Sequence, residues 1–174
     1  MPPREDKDSD VIPQIAINSW TEDDLPLLRR IQGDADMTRH LGGPESDAKI
    51  ADRLQRYIRL WAPDGRMFKV VYDGNPAGSV GYWERTWQGK TIYEMGWSVL
   101  PEFQGHGIAT RATELAIERA KQDGLQKEIH AFPSTQNEPS NRLCRKLGFT
   151  LEGEHDFEYP PGHSMRCNDW AFEL

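Results

Sequence analysis

Cysteine is scarce in this sequence: Cys144 and Cys167 are the only two in 174 residues, with no C-x-x-C pair and no histidine cluster around either. That spacing excludes the common zinc frameworks and a redox dithiol, so no metal is expected and both thiols should be buried and reduced. Positive charge is also short, with 21 Lys and Arg against 28 Asp and Glu, a formal net charge of -7. A nucleic-acid backbone needs a basic face, so that partner is excluded, and a cation such as an amine is the better match. No apolar run approaches the roughly 18 residues of a membrane helix, and the charged N-terminus lacks a signal-peptide core. No membrane contact is expected, and the protein should be cytoplasmic. Residues 1–10 have almost nothing to bury and read as a flexible tail, leaving residues 11–174 for a single domain with a real core.

Against these absences stands one informative stretch, residues 94–110, EMGWSVLPEFQGHGIAT. An extended run carrying Ile92, Met95, Trp97 and Val99 passes Pro101, turns through Gln104-Gly105-His106-Gly107 and becomes an amphipathic helix. The free N–H groups and partial positive charge of a first helical turn suit an anion such as a diphosphate. Gly105 and Gly107 let the backbone approach it, having no Cβ in the way. A dinucleotide fingerprint would need a third glycine where Thr110 stands, and a Walker loop would need Gly-Lys-Ser/Thr, which is absent.

Around this stretch the pattern alternates between helix and strand. Residues 11–17 read as a strand, with Ile15 and Ile17 on one face, and Thr21 caps a helix running to about Ile31. After the 40–44 loop, Ser46 caps a second helix with Ile50, Leu54, Tyr57, Ile58 and Trp61 at helical spacing. Residues 67–72, 77–83 and 91–99 are three antiparallel strands separated by Asp73-Gly74-Asn75-Pro76 and Gln88-Gly89-Lys90. The helix after the glycines carries Ile108, Ala112, Leu115, Ala116 and Ala120 on one stripe and closes at Gly124. Residues 127–132 form a strand parallel to the one before the loop, because a full helix connects them. Asn137 caps a last helix ending at Leu147 and Gly148, and two further strands follow at 149–151 and 166–172. Trp83 and Trp87 are taken as exposed aromatics able to serve a homodimer contact.

Gln104, Gly107 and Ala109 match the pattern Gln/Arg-x-x-Gly-x-Gly/Ala, and Asn137-Glu138-Pro139-Ser140-Asn141 is followed by Leu147-Gly148-Phe149. With His40-Leu41-Gly42-Gly43-Pro44 and Asn168-Asp169-Trp170, these residues resemble the GNAT superfamily of N-acetyltransferases. The resemblance is to the branch that includes ribosomal-protein N-terminal (alanine) acetyltransferases. It implies an α/β (α+β) fold with a mixed sheet of six or seven strands, helices on both faces, and two parallel strands splayed apart at the acetyl-CoA site.

The same resemblance implies acetyl-CoA or coenzyme A as co-substrate. Backbone groups of Trp97, Ser98 and Val99 would pair with the pantetheine arm, and Gln104, Gly105, His106, Gly107, Ile108, Ala109 and Thr110 would hold the diphosphate. Asn137 and Ser140 would lie near the sulfur, and an N–H at Val99 or its neighbour would polarise the thioester carbonyl. Many members place a tyrosine where this chain has Cys144, to protonate the leaving thiolate; here that role would pass to Ser140 or to solvent. Cys144 itself lies between Leu143 and Leu147 and is expected to be packed and inert.

Two features leave alternatives open. Glu94 stands on an otherwise apolar strand and is the candidate base, or else one half of a structural ion pair. The run 152–159, EGEHDFEY, is either a solvated hairpin or an acceptor wall whose carboxylates and aromatics hold a cation such as a polyamine, an aminoglycoside or a basic peptide N-terminus. The expected activity is acetyl-CoA-dependent transfer to a primary amine, on a small molecule or a protein or peptide N-terminus. The alternative is a non-catalytic acyl-CoA sensor.

Overall fold

Two tight hairpins organise the computed structural model, which describes residues 12–174. Asp73-Gly74 and Gln88-Gly89 adopt positive φ (47°, 80° and 49°, 77°), the backbone twist that two-residue hairpin turns require. They join β2 (Gly65–Tyr72), β3 (Asn75–Trp87) and β4 (Lys90–Val99) into an antiparallel meander, with β1 (Ile15–Ser19) paired to β2. Helix α3 (Ile108–Asp123) crosses over to β5 (Glu128–Ala131), which is parallel to β4. Helix α4 (Glu138–Lys146) leads to the hairpin of β6 (Thr150–Glu158) and β7 (Ser164–Glu173). The seven strands lie in the order β1-β2-β3-β4-β5-β7-β6, so the expected mixed sheet is present. The tail read at residues 1–10 lies outside the described residues, and among these no helix is long and apolar enough to cross a membrane.

Helices cover both faces. One face carries α1 (Leu25–Gln32) and α2 (Asp47–Arg59), whose Leu28, Ile31, Ile50 and Leu54 meet Met67 and Leu100. The other carries α3, with Ile108, Ala112, Ala116 and Ala120 against Val70, Val80, Tyr82 and Tyr93; Cys144 of α4 joins this cluster. Ser46 accepts from the Lys49 N–H, Asn137 accepts from the Ser140 N–H, and Gly124 and Gly148 turn the ends of α3 and α4 at φ 65° and 83°.

Four local expectations need correction. The helix expected from Thr21 is split: Glu22–Asp24 form a 3-10 turn and α1 begins at Leu25. Pro26 has no N–H to return to Glu22, so an α-helix cannot run through that register. Helix α2 stops at Arg59, which leaves Trp61 57% exposed, beneath the Arg66 guanidinium instead of on the buried stripe. On α3, Thr113 and Ile117 are buried and Leu115 is only half-buried. An i, i+4 row advances about 40° per step, so it rotates the covered face away from Leu115. Trp83 and Trp87 are not on the open surface: Trp83 packs toward α1 and α2, while Trp87 donates from Nε1 to Asp169 at 3.0 Å. The strand that carries them extends four residues beyond the expected 77–83 and turns both indoles toward one face.

The Asp169 carboxylate also takes Nδ1 of buried His130 at 2.6 Å. Burial alone would lower the His130 pKa, but the hydrogen bond and charge of Asp169, helped by Glu128, leave it above the ordinary histidine value. A raised folded pKa adds stability that is complete below the unfolded value of 6.5 and is lost as pH rises through the folded one. Melting temperature should therefore fall from mildly acidic toward alkaline pH, and His130→Gln should flatten that slope. Equal slopes for the two proteins would remove the pair as its source.

Candidate active site

Strands β4 and β5 pair at only two positions, Tyr93 with Ile129 and Glu94 with His130. Beyond them β4 continues to Val99 bonded to β3 alone, so a gap opens along its edge from residue 95 onward. This is the splay that the resemblance implies and that no local pattern could display. A cavity of about 550 Å³ runs from the gap to the inner wall of α2.

At the gap end the cavity is lined by Gly96, Trp97, Ser98, Ser134, Asn137 and Ser140. Four residues expected at the site, Trp97, Ser98, Asn137 and Ser140, are thus brought together from β4, α4 and the turn before α4. Val99, the last residue of β4, and residues 104–110, which follow it, lie outside this lining. There Gly105 and Gly107 adopt φ 80° and 73°, and a Cβ on either would meet no atom within 4 Å. Gly107 opens α3 without a side-chain cap, and Arg111 makes the first bond back to its carbonyl, at 3.1 Å. The amides of Ile108, Ala109 and Thr110 thus precede the helical ladder, as an anion cradle requires. The Ile108 side chain is packed in the core beneath α3 and takes no part in the cradle. Gln104 Nε2 donates to the Val99 carbonyl at 2.9 Å, and His106 Nδ1 lies 3.2 Å from the Phe103 carbonyl with its ring exposed.

Glu94 is among the residues that line the cavity, and its carboxylate accepts from Arg85 Nη1 at 2.7 Å, the ion pair of the second reading. The Arg85 guanidinium rests over the rings of Phe157 (4.2 Å), Phe132 (5.4 Å) and Trp87 (5.6 Å), which hold it by cation–π attraction. Its buried Nε–H finds no acceptor among the described residues. The alternatives for the 152–159 run divide by side chain. Phe157 and Tyr159 face the cavity, whereas Glu152, Glu154, Asp156 and Glu158 are exposed, and Glu154 and Asp156 pair with Arg166 of β7.

Sequence reasoning missed Arg53, Tyr57 and Arg85 as wall residues, and Asn141 as a support. Arg53 and Tyr57 sit one turn apart on α2, and Arg53 Nη2 reaches the Tyr159 hydroxyl at 3.1 Å across 106 residues. The period-two spacing of Trp83, Arg85 and Trp87 was an available signal for Arg85. The thiols are buried as expected: burial pushes Cys144 up to about 12 and Cys167 up to about 11, so both stay protonated.

Comparison with known proteins agrees with this geometry. The family model described as an acetyltransferase (GNAT) domain matches residues 14–150. The spermidine N(1)-acetyltransferase of Escherichia coli K12 is 29% identical over 147 residues, covering 82% of this chain and 77% of that protein. Among solved structures, the acetyltransferase from Salmonella typhimurium that modifies the N-terminal serine of ribosomal protein L7/L12 superposes with a TM-score of 0.76. It is 20% identical and covers 92% of this chain and 95% of its own. The microcin C7 self-immunity acetyltransferase MccE, solved with acetyl-CoA and AMP, gives 0.75 at 19% identity, covering 92% of each chain. The chain therefore has the GNAT fold, belongs to the GNAT acetyltransferase family and is an acyltransferase.

Proposed function

We propose that the protein moves the acetyl group of acetyl-CoA onto a primary amine, borne by a small molecule or by a protein or peptide N-terminus. The observation that carries this reading is the single cavity joining the β4–β5 gap to the α2 wall, which would let carrier and acceptor meet. Residues 11–174 would act as one domain. Two free, buried cysteines suit a reducing compartment, and the cytoplasm is the setting we assign.

The residues present fit the carrier. Open space beside Gly105 and Gly107 admits a diphosphate to the amides of residues 105–110, and Gln104 braces that loop against Val99. The unpaired edge of β4 at Trp97, Ser98 and Val99 can take an extended amide chain as a further strand would. Asn137 and Ser140 stand beside the gap. Acetyl-CoA supplies the acyl group as an activated thioester. A β4 N–H at Val99 or its neighbour would meet the negative charge developing on the carbonyl oxygen, Glu94 would take the ammonium proton directly or through water, and Ser140 would hand a proton to the departing sulfur.

Free thiol released from acetyl-CoA in the presence of an amine panel tests the activity; a sensor would bind coenzyme A and release none. Glu94→Gln should lower turnover on the order of 10²-fold. Unchanged turnover would leave Glu94 only its ion pair with Arg85.

A further inference from the structure

The net acidity of the chain favours a cationic acceptor, but the cavity does not share that acidity. Its lining includes three arginines, Arg53, Arg56 and Arg85, and one acidic residue, Glu94. Arg85 and Glu94 neutralise each other. Arg53 is matched by Glu45, whose carboxyl is held below its usual range by the Arg53 hydrogen bond, with Arg56 and Lys49 adding to the effect. Arg53 Nη1 and Nη2 also reach the hydroxyls of Tyr57 (3.4 Å) and Tyr159 (3.1 Å), so this guanidinium is fixed in place. Arg56 stands three residues further along α2, exposed at the cavity mouth, and makes no ion pair among the described residues. Three arginines against Glu94 and Glu45 leave one positive charge in excess. The carboxylates of β6 that would have reversed this balance point to the outer face.

On the reading that this cavity receives the acetyl acceptor, we infer that the acceptor is an amine that also carries an anionic group, a carboxylate or a phosphate, and that Arg56 recognises the anion. A guanidinium offers paired donors to either oxyanion, and such charge-assisted bonds are stronger than neutral ones. Tyr57, Trp83 and Phe157 provide apolar wall for the carbon skeleton between the two groups. A polyamine meets the opposite situation: each added ammonium faces the unmatched Arg56, and Glu94 is already engaged by Arg85. Arg56 is a specificity residue on this account and takes no part in the bonds that change.

Matched amines decide the matter, with thiol release measured at saturating acetyl-CoA. O-phosphoethanolamine is set against ethanolamine, lysine against cadaverine, phenylalanine against phenethylamine, and spermidine stands as the polycation. The anionic member of at least one pair should show kcat/KM higher by about tenfold or more, the ratio that one charge-assisted hydrogen bond supplies. Which pair responds identifies phosphate or carboxylate. Arg56→Gln should abolish the preference through KM for the anionic amine, with kcat and the KM for acetyl-CoA close to wild type, and Arg56→Lys should restore part of it. A preference for spermidine or cadaverine, or a preference that survives Arg56→Gln, overturns the inference and leaves acetyl transfer standing. Thiol release with no amine overturns it as well, and calorimetric titration with coenzyme A then decides the reading of the cavity itself.

Discussion

Asn141→Leu should destabilise the protein by about 3–5 kcal/mol, more than any single change at the cavity surface. Asn141 is 1% exposed and uses all four of its hydrogen-bonding positions. Its Nδ2 donates to the carbonyls of Ser134 (2.9 Å) and Asn137 (2.8 Å), and its Oδ1 accepts from Asn168 Nδ2 (2.8 Å) and Trp170 Nε1 (2.9 Å). One side chain thereby ties α4 to β7 and to the turn that presents Ser134 and Asn137 to the cavity. Leucine has similar size and none of these groups, so buried donors and acceptors would lose their partners at once. Each costs about 1–3 kcal/mol when left unmet, and relaxation recovers part of the sum. At about 2–4 °C per kcal/mol for a chain of this size, the melting temperature should fall by roughly 10 °C or more, with the urea midpoint moving in step. A loss under about 1 kcal/mol would show that water or nearby groups replace these bonds.

The second large effect concerns the carrier. Gly107→Val is expected to raise the KM for acetyl-CoA and the calorimetric Kd for coenzyme A by on the order of 10²-fold or more. The backbone at residue 107 has φ 73°, where a side chain costs about 1–2 kcal/mol and a β-branched one more. No protein atom lies within 4 Å of the new Cβ, so packing in the free protein is not the obstacle. The valine methyls would instead occupy the space in front of the amides of Ile108, Ala109 and Thr110. Gly148→Ala supplies the control: φ is 83°, the Cβ again meets nothing, and the residue closes α4 away from the cradle. It should lower stability with little effect on KM. Normal coenzyme A binding by the folded Gly107→Val protein would remove the α3 N-terminus as the diphosphate site.

These two residues also mark how differently parts of the site could be read from sequence. Gly105 and Gly107 announce themselves, because a strand, two glycines and an amphipathic helix are contiguous and each signal is local. Asn141 was visible only as a member of the 137–141 motif. Its importance comes from Asn168 and Trp170, which lie 27 and 29 residues away. Glu94 shows the intermediate case: its strand was evident, but its partner Arg85 is reached diagonally across the β3–β4 hairpin and depends on the register in which Arg85 faces Ile92.

By itself the sequence determined the element order, the two hairpin turns at Asp73-Gly74 and Gln88-Gly89, the caps at Ser46, Asn137, Gly124 and Gly148, and the glycine-opened α3. All of these are set by backbone preferences and side-chain bonds spanning a few residues. Tertiary structure alone decided where β4 parts from β5, which way Trp83 and Trp87 point, that Trp61 stays outside, and that arginines line the cavity while the β6 carboxylates face solvent. Strand pairing after residue 94 and the charge of a cavity wall are sums over segments far apart in the chain, and no local pattern encodes which distant side chains will share a face.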